Sequence, residues 1–336
     1  MATVYLTSST DPDDEHGRLE LQYLQDSAER DRFGVHEAVE EPGDADLILF
    51  VEREHATGAG LDQVREHPLV HESHSNCYVV NPRYKGIPHL PGVYASVPKK
   101  WYDQSRVRSS HYPEVRENEA FRDQGPVPEE GHLYSFRGTI GTAPVRSRIA
   151  ELSHSRGVIR DTTDEDVTPM MKMRGLDPEI REYMQRYAHL IGESKFVLCP
   201  RGLGPSSLRI FEAMLMGRAP VIISDQWVPP EGPDWEAFSV RIPESEIDRI
   251  PSVLENCEDR AAPMGRKART AWEEWFSPEV TFHRVVEWCL DVHRTRPSLT
   301  DRWRRLRSYA YAATPVQVLE DRVLSHLASR AVALWS

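Results

Sequence analysis

Between Ser194 and Asp225 the chain runs Ser-Lys-Phe-Val-Leu-Cys-Pro-Arg-Gly-Leu-Gly-Pro-Ser-Ser-Leu-Arg-Ile-Phe-Glu-Ala-Met-Leu-Met-Gly-Arg-Ala-Pro-Val-Ile-Ile-Ser-Asp, and no other stretch limits the possible folds so tightly. An apolar run, Phe196 to Cys199, stops at Pro200; the pattern then predicts a polar loop and a helix from about Ser206 to Met216 that ends at Gly217. The second apolar run, Ala219 to Ser224, is nearly unbroken, as in a strand buried within a parallel sheet. Strand, loop and helix in this order gather Arg201, Gly202, Gly204, Ser206, Ser207 and Arg209 at one end. Open backbone N–H groups, a positive helix end and two guanidiniums suit a phosphate or diphosphate. Glu212 falls on the first turns of the same helix, where a carboxylate can accept from a ribose diol.

Ser194-Lys-Phe, the run Cys199 to Met214, and Pro220-Val-Ile-Ile-Ser-Asp-Gln-Trp-Val-Pro closely resemble the signature block of the exostosin-like glycosyltransferases. The likeness continues upstream in Leu133-Tyr-Ser-Phe-Arg-Gly-Thr-Ile-Gly and Val145-Arg-Ser-Arg, and downstream in Trp235-Glu-Ala-Phe-Ser-Val-Arg-Ile-Pro-Glu. It covers roughly Leu133 to Leu290 and is much weaker before residue 130. The resemblance implies an α/β GT-B architecture: two Rossmann-like domains facing a cleft, with the donor held mainly by the C-terminal one and C-terminal helices packing back toward the N-terminal domain. It also implies an inverting transfer of a sugar from a nucleoside diphosphate, with UDP expected, to a hydroxyl of a glycan or small-molecule acceptor. No metal or other cofactor is expected. The alternative is a nucleotide-sugar-binding chain that has lost catalysis and serves as a scaffold for another transferase; it would keep Arg201 and Glu212 but lack a usable base. A kinase-like reading is disfavoured, because no Gly-x-x-x-x-Gly-Lys-Ser/Thr motif is present.

At 336 residues the chain is long enough for two domains, each with its own core. Apolar or β-rich segments at Val4–Leu6, Leu47–Val51, Cys77–Asn81 and Val93–Val97, with a helix-compatible stretch at Arg18–Arg32, fit an irregular α/β domain over 1–128. Gln124-Gly-Pro-Val-Pro-Glu-Glu-Gly131 reads as the interdomain linker. A second domain, 129–296, then carries strands at Leu133–Phe136, Gly157–Arg160 and Arg241–Pro243, and helices near 143–155, 178–192, 245–256 and 261–275. The last segment, 297–336, is helical and arginine-rich over 301–311 and 316–333; the resemblance implies that it packs back across the hinge, the alternative being a solvated amphipathic tail or an oligomer contact.

No apolar run reaches transmembrane length, and Met1-Ala-Thr-Val-Tyr-Leu-Thr lacks the pattern of a secretory leader, so a cytoplasmic location is expected. A net charge of −12 argues against broad nucleic-acid binding, so the basic residues near Arg201 must act locally. Four scattered cysteines suit neither a disulfide framework nor a Cys-x-x-Cys zinc site. Arg outnumbers Lys by 35 to 6, a bias associated with GC-rich bacterial genomes.

Arg137-Gly138 repeats the logic of Arg201-Gly202 at the end of another strand, where open α/β sheets place ligands. Ser206 and Ser207 fit either helix capping or phosphate binding. Arg209 fits either the phosphates or a pair with Glu212. For Arg146 and Arg148 a surface face is expected, and Trp227 reads as a core or rim aromatic. Asp161, Asp164 and Asp166 read as a solvated acidic loop; Asp164-Glu165-Asp166 has the letters of an Asp-x-Asp metal motif without its context. The resemblance implies a general base from the N-terminal domain, its normal source in GT-B enzymes. That points first to Asp13, Asp14, Glu15 and His16 after the first strand, then to Glu52 and Glu54.

Overall fold

The computed structural model describes residues 1–9, 15–52, 59–72, 75–84, 88, 90–113, 121, 125–165 and 178–295. The first part contains β1 (Thr3–Thr7), α1 (Glu15–Glu29), β2 (Glu37–Val39), β3 (Leu47–Val51), α2 (Ala59–Glu66), α3 (Pro68–Glu72), β4 (Cys77–Asn81), β5 (Gly92–Tyr94) and β6 (Val107–Ser109). The second contains β7 (His132–Gly138), α4 (Pro144–Ala150), β8 (Gly157–Asp161), α5 (Pro178–Gly192), β9 (Ser194–Pro200), α6 (Leu208–Leu215), β10 (Ala219–Ile223), β11 (Val240–Arg241), α7 (Ile250–Glu255), α8 (Ala261–Trp275) and α9 (Pro278–Thr295).

Among the described residues every pairing between these strands is parallel. The strands form one six-stranded sheet, β2-β1-β3-β4-β5-β6, and one five-stranded sheet, β11-β10-β9-β7-β8. Two Rossmann-like α/β units of this kind are the GT-B architecture. β3, β4 and β10 are buried at every position, which is why Leu47–Val51, Cys77–Asn81 and Ala219–Ile223 carry unbroken apolar or β-rich sequence. In the first sheet the chain goes from β1 outward to β2 and returns to β3 on the other side. In the second it goes from β7 to β8 and returns to β9. Sheets with such a reversal bind ligands beyond the carboxyl ends of the two central strands that flank it.

The boundary expected at 128/129 lies between β6 and β7. The linker is not a free tether. Arg218, only 1% exposed, donates to the carbonyls of Gly125 and Pro126 and also to that of Gly192, tying the linker to the second unit. Three expected helices are shifted, shortened or broken. The one expected over 18–32 lies at Glu15–Glu29, and α4 starts at Pro144 and stops at Ala150. Residues 244–249 form a 3-10 turn, kinked at Glu246, that precedes α7. The expected helices after Pro297 lie outside the described residues.

The element that crosses between units is α9, in sequence part of the second domain. It packs along α1 and against β5 and β6 of the first sheet. The hydroxyl of Ser27, on α1, enters its first turn: it donates to the Pro278 carbonyl and accepts from Phe282 N–H (2.8 Å). Among the described residues no helix is long and apolar enough to cross a membrane.

Candidate functional site

The reversal point of the second sheet lies beyond Gly138 at the end of β7 and Pro200 at the end of β9, so Arg137-Gly138 and Arg201-Gly202 flank one crevice. α6 follows the loop after β9, and Gly217, at φ 65°, ends it in the left-handed conformation that glycine adopts without strain. Its first residue is Leu208 rather than Ser206. Ser207 occupies the cap position in an extended conformation, yet its hydroxyl makes no capping bond. The hydroxyls of Ser206 and Ser207 are both buried and have no protein partner.

Four guanidiniums surround this loop. Arg209 reaches back to β7 and donates twice to the Arg137 carbonyl, from Nε (2.9 Å) and a terminal nitrogen (2.6 Å). It crosses directly over Gly138, where a Cβ would lie 2.2 Å from that side chain. The expected choice for Arg209, phosphates or Glu212, therefore has a third answer: it caps the open end of β7 while its charge acts on Glu212 from nearby. Arg137 pairs with Glu165 (2.5 Å), lies over the Tyr183 ring (4.5 Å) and keeps a buried Nε without a partner.

Arg201 pairs with Glu244 (2.8 Å) and stays 29% exposed, against 10% for Arg137, so it is the more accessible of the two. Glu244 also accepts from Asp225 N–H (3.2 Å) and donates its own N–H to Asp225 Oδ1 (3.1 Å). One carboxylate thereby fixes Arg201 and the end of β10 together.

Arg146 is not on a surface face. It is 8% exposed and donates to the carbonyls of Arg201 (3.0 Å), Thr139 (3.1 Å) and Pro200 (3.4 Å), joining the two strand ends of the crevice. Burial, then the neighbouring Arg209 charge, push its pKa down. Arg148 does face outward and pairs with Asp248 (3.3 Å).

Glu212 is 5% exposed and accepts a short hydrogen bond from the Tyr187 hydroxyl. Burial raises its pKa, against the opposing pull of Arg209 and Tyr187. Burial, then Glu212, hold the Tyr187 phenol well above its ordinary value.

Gly204 faces the N-terminal unit. A Cβ there would lie 1.3 Å from the Tyr84 carbonyl oxygen, and Ser206 N–H donates to Ser96 Oγ (3.1 Å). The loop is thus part of the seam between the two units. Trp227, 3% exposed, bridges to Pro98 in the same seam.

On the acidic side, Asp161 accepts from the Thr163 hydroxyl and N–H, which hold its carboxyl below the usual range, and Glu165 is taken by Arg137. Asp166 lies outside the described residues.

The reversal point of the first sheet carries the expected base region. Asp13, Asp14 and Glu54 lie outside the described residues, and Glu15 and His16 begin α1. Glu52, 2% exposed, accepts from Ser9 N–H and Ser8 Oγ and so clasps the loop after β1.

The sequence reading did not single out Tyr187, Glu244, Tyr84 or Ser96. The only signal it held for Glu244 was the end of the Trp235–Glu244 segment of resemblance.

Residues 95–257 match the Exostosin GT47 domain. A probable glycosyltransferase of Arabidopsis thaliana is 33% identical over 89 residues, 25% of this chain and 17% of that protein. Exostosin-1 of Drosophila melanogaster is 25% identical over 176 residues, 49% of this chain and 23% of the fly protein. The chain therefore spans less than a quarter of the length of either relative. A glycosyltransferase structure from Rickettsia africae aligns over 86% of this chain and 98% of its own, with a TM-score of 0.43 and 10% identity.

Proposed function

We propose, from the premise that this chain is a member of the exostosin-like glycosyltransferase family, that it transfers a sugar from a nucleoside diphosphate, UDP in the first instance, to an acceptor hydroxyl. The observation that carries this reading is the convergence of side chains at the carboxyl ends of β7 and β9. Four arginines and two unpartnered serine hydroxyls there surround the start of α6.

In this reading the diphosphate lies against the loop 201–207. Arg201 exchanges part of its Glu244 pair for phosphate oxygens, and Arg137 adds charge from the adjacent strand end. Arg146 and Arg209 hold the strand-end carbonyls and place the loop. Glu212, oriented by Tyr187, accepts from the ribose hydroxyls. The acceptor oxygen attacks the anomeric carbon as the bond to the diphosphate breaks, and its proton passes to a base on the N-terminal side. Inversion follows from attack opposite the leaving group. Glu52 holds Ser8 and Ser9 just after β1, on the N-terminal side, and Asp13, Asp14, Glu15 and His16, which follow in sequence, are the first candidates for that base.

Charge on the leaving diphosphate is balanced by guanidiniums and a helix N-terminus, so the transfer proceeds without a divalent cation. The test incubates the chain with a panel of nucleotide sugars and of glycan and small-molecule acceptors and measures release of free nucleotide, with and without EDTA. Release from a UDP-sugar that persists in EDTA is the expected result. No release from any donor would contradict the assignment as an enzyme. Loss in EDTA with recovery on manganese or magnesium would return Asp164 and Asp166 to consideration.

A further inference from the structure

We propose that His36, His283 and Glu287 form a divalent-cation site, suited to zinc, that fastens α9 to the N-terminal unit. His283 and Glu287 are one turn apart on α9, on the same face, while His36 immediately precedes β2. One ligand atom from each residue can be chosen so that all three lie within 4.8 Å of one another. His36 Nε2 and Glu287 Oε1 are already 2.9 Å apart, and the two imidazole centroids are separated by 5.1 Å.

A second observation points to a ligand. Nδ1 of His36, Nδ1 of His283 and Oδ1 of Asp31 are all buried without a hydrogen-bond partner. A pair of histidines joined only by a carboxylate would leave these atoms unsatisfied. A cation that takes one nitrogen from each ring fixes both tautomers, and Asp31, which already acts on His283 electrostatically, becomes the acceptor for a remaining ring N–H.

Two imidazoles and one carboxylate are a ligand set that zinc favours. Bonds of about 2.0–2.1 Å would place the ligand atoms roughly 3.3 Å from one another, so the widest separation has to shrink by as much as about 1.5 Å while the 2.9 Å His36–Glu287 pair opens slightly. Glu287 permits this, being 40% exposed, whereas the His36 side chain is 1% exposed and stays in place. Arg32 and Arg284 oppose a cation. Both guanidiniums rest on the Phe33 ring, which in turn stacks on His283 at 4.1 Å, and Asp31 and Glu287 offset their charge.

His36 marks the amino edge of the first sheet, whereas sugar transfer is assigned to the carboxyl edges. The cation would therefore brace the crossing helix without entering the reaction. The test strips the full chain with a chelator and titrates zinc by calorimetry, with cobalt absorption as a report of the coordination sphere. One zinc per chain is expected, together with a rise in thermal unfolding midpoint on adding zinc. Glu287→Gln keeps the hydrogen bond to His36 and should weaken binding at least about tenfold; His283→Gln should do the same. UDP affinity should be equal with and without zinc. Absence of stoichiometric binding in the parent, or equal affinity in the parent and both variants, would overturn the site.

Discussion

Glu212 combines a charged group with a buried place, and burial moves its pKa upward. An ionised carboxylate held there adds little to stability, and the proposed ribose contact can be tested apart from any structural role. Glu212→Gln keeps the shape and the Tyr187 contact while removing the charge. Its unfolding temperature should equal or exceed the parent's. UDP should bind less tightly, with a smaller preference for ribose over deoxyribose nucleotides; equal discrimination in parent and variant would return Glu212 to a structural role.

At Glu258 the opposite shift operates. Hydrogen bonds from Arg156, then Lys195, hold its carboxyl down to about 2 from an ordinary 4.5. A depressed carboxyl contributes stability that is present above the unfolded value and is lost as pH falls from about 4.5 toward 2. The pair is partly exposed, so the contribution is small. Urea midpoints of parent and Glu258→Gln should differ at pH 6 and converge near pH 2; a constant gap would contradict the assignment.

Residue roles were legible only where they depended on local order. Arg201 and Gly202 could be placed at a strand end because Pro200 visibly closes the apolar run. Arg146 could not, because its burial depends on carbonyls from Thr139, Pro200 and Arg201, which the fold alone brings together. Glu244 lies 43 residues from the arginine it holds, with no spacing rule to connect them.

At the scale of elements, β3, β4, β9 and β10 announce themselves because strands buried in a parallel sheet need apolar or β-rich runs. β2 and β6, at three residues each, are too short for any period to show. The helix expected over 143–155 is cut back to 144–150, with Glu151 already bonding to the Arg148 and Ile149 carbonyls as the helix ends. The Ser27 hydroxyl inside the first turn of α9 is likewise invisible in sequence, since its partners lie 251 and 255 residues away. Ser27→Ala removes both bonds, but Pro278 C=O and Phe282 N–H can then pair with each other as ordinary helix partners. The expected cost is therefore about 1 kcal/mol, at the low end of the range for buried hydrogen bonds. It should be read as a lower denaturant midpoint with unchanged slope, and an unchanged midpoint would show that Ser27 is dispensable for docking α9.

For the whole molecule, the proposed function has the two reversal points divide the work, the second sheet gripping the donor and the first facing the acceptor. The seam between them runs through Gly204 against Tyr84, Ser206 against Ser96, and Trp227 against Pro98. The plan of two Rossmann-like units was readable from the family resemblance of the signature block. The crossing by α9 was not, because nothing in 278–295 tells which sheet that helix covers. The central claim is that the crevice beyond β7 and β9 binds a nucleoside diphosphate through Arg201. Calorimetric titration of UDP into the parent and into a folded Arg201→Ala variant tests it most directly. Loss of a charge-assisted contact of about 1.5–3 kcal/mol predicts affinity about ten- to hundredfold weaker in the variant. Equal affinity in the two proteins, or no binding to the parent, would contradict it.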